Sequence, residues 1–149
     1  MPMRTLGYAV IGCGRVALRH VEAAETIQGA CLAAVVDADQ AKATALADAS
    51  NSSPRMYRDY SEALADPSVD VVAVAVPTQM HRDVTVAAAQ AGKHIYCEKA
   101  MAATPAQCVE MLAATRENGV KLTIGHSTRW QPAVLMARRL IDQGAIGEV

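Results

Sequence analysis

The sequence contains no phenylalanine, and aromatic residues make up only 3% of its 149 residues. Hydrophobic residues nevertheless make up 52%, so a core has to be built from alanine, the branched aliphatic residues and methionine. Small and branched side chains suit close contacts between helices and a parallel sheet that is buried on both faces. Because the length is that of one ordinary domain, we expect one such core.

The sequence also lacks a dominant charge, since 14 basic and 15 acidic residues give a formal net charge of −1. No excess of positive charge is present to attract a nucleic-acid backbone or an anionic membrane surface. The longest apolar run, residues 71–77, is too short to span a bilayer, and the N-terminus carries no secretory signal. We therefore expect a soluble, cytoplasmic protein whose partners include neither nucleic acid nor a membrane.

Metal-binding patterns are missing as well. The cysteines, Cys13, Cys31, Cys97 and Cys108, show no paired ligand spacing, so we expect no metal site. A domain of this size needs no disulfide framework, and reduced thiols are expected. Cys13 lies near the start of a helical pattern, where a thiol can become reactive, but a small filling residue is the favoured interpretation.

The most informative motif that is present follows the first apolar segment, residues 6–11. Gly12, Gly14 and Ala17 form a Gly-x-Gly-x-x-Ala pattern, in which the small residues allow a tight turn, close approach of a pyrophosphate, and close helix packing. The N–H groups of the following helix can then bind phosphate oxygens. A strand-to-helix turn that binds nothing is the alternative. The residues assigned to a dinucleotide site here are Gly12, Cys13, Gly14, Arg15 and Val16.

A carboxylate stands at the spacing that such a site requires. The second apolar segment, residues 31–36, ends at Asp37, 25 residues after Gly12. At this spacing an acid accepts hydrogen bonds from the adenosine ribose of NAD and repels the 2′-phosphate of NADP. Ala38 follows, so no phosphate-binding side chain stands directly alongside. We therefore expect NAD rather than NADP, with Asp37 as a simple turn residue as the alternative.

Strand-like and helical segments alternate along the whole chain. The predicted strands lie near residues 6–11, 31–36, 55–58, 69–76, 93–97 and 120–125, and the predicted helices near 15–26, 40–49, 61–64, 82–91, 105–118 and 132–143. Six strands joined by helices predict an α/β fold with a doubly wound parallel (Rossmann) sheet and helices on both faces. We expect the dinucleotide-binding domain to cover residues 1–143. Residues 144–149 are expected to start a second domain, with a strand beginning near residue 146.

Longer motifs carry a resemblance to the Gfo/Idh/MocA family of NAD(P)-dependent oxidoreductases. They are Gly-Cys-Gly-Arg at 12–15 with His20, Val-Pro-Thr-Gln-Met-His at 76–81, Ala-Gly-Lys-His-Ile-Tyr-Cys-Glu-Lys at 91–99, Arg-Trp-Gln-Pro at 129–132, and Gly-Ala-Ile-Gly-Glu-Val at 144–149. The resemblance implies hydride transfer between a nicotinamide cofactor and the hydroxyl or carbonyl group of a sugar, polyol or cyclitol substrate. It also implies a homo-oligomer and a second α+β domain, absent or truncated here, that carries the histidine proton acceptor.

The resemblance also implies roles for individual residues. Lys99 is placed beside the nicotinamide and the substrate as the catalytic residue, where its ammonium orients the substrate hydroxyl and stabilises charge that develops on oxygen. Glu98 is expected to hold the local backbone or the lysine. Cofactor contacts are implied for Val76, Pro77, Thr78, His81, Glu98, Lys99 and Arg129.

The chain departs from the family pattern at several positions. Ala100 stands where the family has proline, and a cis bond there costs about 2.5–4 kcal/mol without proline, so a trans peptide with a displaced Lys99 is an alternative. Ser127 and Thr128 stand where the family often has Asn and Arg, and His126 nearby is expected to be structural or cofactor-adjacent.

Two other functions remain open from the residues. One is a non-catalytic dinucleotide-binding or regulatory module, because the isolated chain is expected to bind cofactor without turnover. The other is a class I methyltransferase, whose glycine turn and ribose-binding acid look similar, although the motifs at residues 76–81 and 98–99 disfavour it.

Overall fold

Six parallel strands form one sheet in the computed structural model, which describes residues 4–148. The strands are β1 (Leu6–Ile11), β2 (Ala30–Val36), β3 (Arg55–Tyr57), β4 (Val71–Val74), β5 (His94–Cys97) and β6 (Leu122–Ile124). The helices are α1 (Ala17–Thr26), α2 (Gln40–Asp48), α3 (Tyr60–Ala65), α4 (Thr78–Gln90), α5 (Pro105–Glu117) and α6 (Pro132–Asp142), and a 3₁₀ helix covers Ser127–Trp130. The expected doubly wound sheet with helices on both faces is confirmed.

The strand order is β3-β2-β1-β4-β5-β6, and every neighbouring pair is parallel. The order reverses between β1 and β4, because the chain runs outwards through β2 and β3 and then returns to the other side of β1. The connections after β1 and β4 therefore diverge, which leaves a crevice at the carboxyl ends of these two strands. Candidate site residues follow both strands.

The core consists of small and branched side chains, as the composition requires. One cluster lies between the sheet and α3, α4 and α5, and its buried members include Ile11, Val74 and Met111. The other lies between the sheet and α1 and α2, with Val10 and Val21 fully buried. No tyrosine or tryptophan among residues 4–148 is fully buried. Alanines fill the close contacts between the layers instead.

Two predicted boundaries were wrong. Helix α4 begins at Thr78, four residues before its predicted start, because Pro77 with φ −55° precedes a helix without interrupting it. Residues 146–148 form turn and irregular backbone rather than a new strand, and Val149 lies outside the described residues. Gly144 and Gly147 adopt positive φ angles of 70° and 80°, which turns the chain away from an extended path.

The sheet is covered unevenly. His94, Tyr96 and Thr123 on β5 and β6 lie on the face that carries α1, and they line an open cleft of about 780 Å³. Helix α6 buries none of its residues against the described part of the chain, although Leu135 and Leu140 are among its exposed apolar side chains. No helix within residues 4–148 combines the length and the hydropathy needed to cross a bilayer.

Candidate functional site

The glycine turn between β1 and α1 is built from residues with different constraints. Gly12 has φ +96°, and a Cβ atom there would lie 2.7 Å from the carbonyl oxygen of Ala75, so no larger residue fits without strain. Gly14 is exposed, and no described heavy atom outside its chain neighbours comes within 4 Å of a Cβ at this position. Ala17 is fully buried in the core beneath the turn. The turn is therefore tightly packed on its inner side and accessible at Gly14.

The carboxylate of Asp37 is held against this turn. One oxygen accepts a hydrogen bond from the Cys13 N–H at 2.9 Å, and the other accepts one from the Asp39 N–H at 2.9 Å. Each carboxylate oxygen can accept a further bond, so ribose hydroxyls can still be bound. Asp37 is thus oriented by backbone donors before any ligand arrives.

Cys13 is not an activated thiol. Burial, and then the negative charge of Asp37, raise the pKa of its thiol to about 12. A thiol with such a pKa stays protonated near neutral pH, and the thiolate is the reactive form. The filling role expected for Cys13 agrees with this environment. All four cysteines are free thiols in the structure.

A first cleft of about 590 Å³ opens on the β2 side of the turn. It brings together five of the predicted cofactor-binding residues, which are Gly12, Gly14, Asp37, Val76 and Pro77. Lys42 and Arg58 line the same cleft and were missed by the sequence reasoning, which considered only the residue after Asp37. The strand order could have indicated Arg58. Arg58 follows β3 as Asp37 follows β2, and because these strands are parallel neighbours the two residues lie side by side at the same sheet edge.

The second cleft, of about 780 Å³, opens on the β4 side and contains the candidate catalytic residue. Val16, Glu98, Lys99 and Arg129 line it, as does His126. The side chain of Lys99 is exposed, and the Lys99–Ala100 peptide bond is cis, so the trans alternative is not the one that the structure adopts.

Arg129 lies against the tryptophan at the rim of this cleft. Its guanidinium carbon lies 5.7 Å from the ring centroid of Trp130, within the distance of a cation–π contact. Trp130 itself is 70% exposed. The 3₁₀ helix that carries both residues is therefore exposed beside the cleft rather than packed into the core.

A partly buried polar cluster, formed by Tyr8, His20 and Glu98, lies next to Lys99. The Nε2 atom of His20 is 3.0 Å from one carboxylate oxygen of Glu98, and its Nδ1 atom is 3.4 Å from the Tyr8 hydroxyl. The other carboxylate oxygen of Glu98 accepts a hydrogen bond from the Lys99 N–H at 3.3 Å. Burial, followed by the nearby Tyr96 and Glu98, raises the pKa of the Tyr8 phenol, which therefore stays protonated. Glu98 thus contacts the Lys99 backbone, and its role in fixing the lysine stays a prediction.

Four predicted site residues line neither cleft, namely Cys13, Arg15, Thr78 and His81. His81 is buried, and its ring nitrogens lie 2.8 Å from the carbonyl oxygen of Ala100 and 2.9 Å from that of Val76. Both nitrogens are thus occupied by backbone groups, and direct contact with a cofactor stays a prediction.

The family model described as an oxidoreductase family with an NAD-binding Rossmann fold matches residues 6–126. The inositol 2-dehydrogenase of Salmonella typhimurium is 32% identical over 146 residues, which cover 97% of this chain and 44% of that protein. The D-apiose dehydrogenase of Paraburkholderia graminis is 37% identical over 139 residues, or 93% of this chain and 37% of that protein.

Solved structures agree with these relatives. The WlbA dehydrogenase of Bordetella pertussis, in complex with NADH and UDP-GlcNAcA, has a TM-score of 0.89 and 27% identity over 97% of this chain and 41% of that one. The chain therefore spans less than half the length of the relatives it matches. With its family match, strand order and glycine turn, the chain belongs to the Gfo/Idh/MocA oxidoreductases and corresponds to their NAD-binding Rossmann domain.

Proposed function

We propose that the complete protein is an NAD-dependent dehydrogenase that acts on a hydroxyl or carbonyl group of a sugar, polyol or cyclitol. The observation that carries the proposal is the arrangement around the glycine turn. Asp37 is fixed to one side of the turn, and Lys99 lies in the cleft on its other side. The matched relatives include inositol and D-apiose dehydrogenases, which supports this substrate class.

The residues around the turn fit a dinucleotide. Gly14 leaves space for a pyrophosphate, Asp37 presents oriented carboxylate oxygens to a ribose, and Val76 and Pro77 form part of the wall of the first cleft. The Asp37 carboxylate favours NAD over NADP by charge repulsion. Lys42 and Arg58 line the same cleft, and their positive charges attract a phosphate group. The preference for NAD over NADP therefore depends on the hydrogen bonds that hold Asp37 in place.

When bound, the nicotinamide supplies the hydride chemistry. Lys99 is proposed to hold the substrate oxygen and to stabilise the negative charge that develops on it, through a charge-assisted hydrogen bond of about 1.5–3 kcal/mol. Glu98 is proposed to fix the backbone that carries Lys99. The proton acceptor is proposed to lie outside residues 4–148.

Binding measurements on this chain test the cofactor part of the proposal. NADH, NADPH and S-adenosylmethionine would each be titrated into the protein and followed by calorimetry. We expect NADH to bind most tightly. Preferential binding of S-adenosylmethionine would replace the dehydrogenase with a methyltransferase. NADH binding by a complete protein that neither oxidises sugar, polyol or cyclitol hydroxyls with NAD nor reduces the corresponding carbonyls with NADH would favour a non-catalytic module.

We further propose that the complete protein is cytoplasmic and forms homo-oligomers. The four free thiols support a reducing compartment. The exposed apolar side chains of α6 support burial against further protein surface. Sedimentation of the complete protein tests the second point, since a monomer at all concentrations would contradict it.

A further inference from the structure

The segment that carries Lys99 contacts two buried histidines on helices that pack against opposite faces of the sheet. His20 lies on α1 and is 8% exposed, whereas His81 lies on α4 and is 1% exposed. One helix packs in each of the two core clusters. The segment after β5 is thus held from both sides, although the Lys99 side chain itself is exposed.

His20 acts through Glu98. The imidazole Nε2 is 3.0 Å from one carboxylate oxygen, and the second oxygen of Glu98 accepts the bond from the Lys99 N–H. Gly125 provides the space for this arrangement, since a Cβ there would lie 3.3 Å from the second oxygen and 3.1 Å from the Tyr96 hydroxyl. Because α1 starts at the glycine turn, this contact joins the predicted phosphate-binding turn to the lysine.

His81 acts on the other side, through backbone carbonyl groups. Its Nδ1 atom lies 2.8 Å from the carbonyl oxygen of Ala100, the residue after Lys99, and its Nε2 atom lies 2.9 Å from that of Val76. A neutral ring donates to one of these carbonyls, and an imidazolium donates to both. Either form ties the segment after β5 to the end of β4.

We propose that His20 and His81 are positioning residues that fix the direction in which Lys99 projects into the second cleft. The inference rests on the proposed function, because it concerns the ammonium that is proposed to hold the substrate oxygen. Through Glu98, His20 fixes the peptide group before the lysine, and His81 fixes the Ala100–Met101 peptide group, one residue beyond it. Neither histidine contacts the reacting atoms.

The direct test follows the Lys99 amine itself. Lysines of the 149-residue chain would be reductively methylated with a ¹³C label, which retains the positive charge, and the Lys99 signal would be assigned by its loss in Lys99→Arg. In the unsubstituted chain we expect this signal to shift when NADH is added. In His20→Ala the shift should be mostly lost while NADH still binds, and His20→Gln should restore it by donating to Glu98.

His81→Ala and His81→Gln form the second arm. The buried His81→Ala variant is expected to be unstable, so His81→Gln, which retains one side-chain N–H donor group, carries the comparison if the alanine variant fails to fold. In His81→Gln, the shift of the Lys99 signal on addition of NADH should differ from that in the unsubstituted chain, because only part of the His81 contact remains. Glu22→Ala, on the exposed side of α1, is the matched control and should respond like the unsubstituted chain.

The outcomes separate the two proposals. If NADH does not bind the unsubstituted chain, the proposed function fails. If NADH binds and the Lys99 signal shifts equally in the unsubstituted chain, His20→Ala and His81→Gln, the positioning roles are overturned. Loss of the response in His20→Gln as well as His20→Ala would mean that the hydrogen bond to Glu98 is not what positions the lysine.

Discussion

The two halves of the sheet differ in how completely they are packed. The half that carries Gly12 and Asp37 has helices on both faces, Gly12 packs closely against Ala75, and the Asp37 carboxylate is hydrogen-bonded to the turn. The half that carries Lys99 has α4 and α5 on one face, while β5 and β6 border an open cleft on the other. The proposed cofactor side is therefore held by contacts within this chain, whereas the proposed reaction side presents Lys99 on an incompletely covered face.

The largest expected effect concerns Lys99 and separates the two halves most clearly. In the complete protein, Lys99→Met should lower kcat by about 10²–10³-fold, the range for losing one donor to a developing oxyanion, and leave NADH affinity nearly unchanged. Steady-state kinetics and NADH titration measure the two quantities. Lys121→Met, at the far end of the same cleft, is the control. An equal loss in both variants would remove the special role of Lys99.

Asp37→Ala should act on the other half alone. Loss of hydrogen bonds to a charged acceptor, about 1.5–3 kcal/mol, predicts about ten- to hundredfold weaker NADH binding and a smaller preference over NADPH. Asp39→Ala is the matched control, because Asp39 is exposed and caps α2 through the Ala41 N–H. That control should lose stability without changing the cofactor preference, as calorimetric titration with both cofactors would show.

The two glycines of the turn should separate folding from binding. Gly12→Ala places a Cβ against Ala75 at positive φ and should lower the free energy of unfolding by at least about 1–3 kcal/mol. Gly14→Ala meets open space and should stay within about 0.5 kcal/mol of the original stability while weakening NADH binding. Urea denaturation and NADH titration of both variants provide the comparison. Equal stability of the two would contradict the packing described for Gly12.

A smaller effect is expected from acid at Asp66, a buried carboxyl that lines neither cleft. Burial raises its pKa, but hydrogen bonds from Ser68, Arg55 and Tyr57 outweigh this and hold the pKa well below its usual range. As the pH falls below about 4, the unfolded chain therefore binds this proton first and the folded state loses stability. Urea denaturation between neutral and acidic pH should show a shallower decline in Asp66→Asn. Identical pH profiles would show that Asp66 contributes nothing to acid sensitivity.

The fold could be predicted from the sequence because local patterns specify it. The apolar runs, the glycine turn and the helix-ending glycines mark six strands and six helices whose alternation permits few topologies. The start of α4 was predicted four residues too late, although proline is compatible with the beginning of a helix and α4 begins directly after Pro77.

The candidate site was less predictable, because its contacts join distant parts of the chain. His20 and Glu98 are separated by 78 positions, and no periodicity links them. A buried histidine within the apolar face of α1 was the only hint that it needs a polar partner. Arg58 was missed for a similar reason, since it reaches the Asp37 cleft only through the pairing of β2 with β3.

Trp130, the single tryptophan of the chain, stands exposed next to Arg129 at the rim of the Lys99 cleft. Without other indoles, and with few tyrosines, almost all near-ultraviolet emission of the protein comes from this one position. Reduced nicotinamide absorbs in the region where indole emits, so the chain carries its own optical reporter of cofactor binding. Binding of a reduced nicotinamide cofactor to the chain can therefore be followed by energy transfer without attaching a dye.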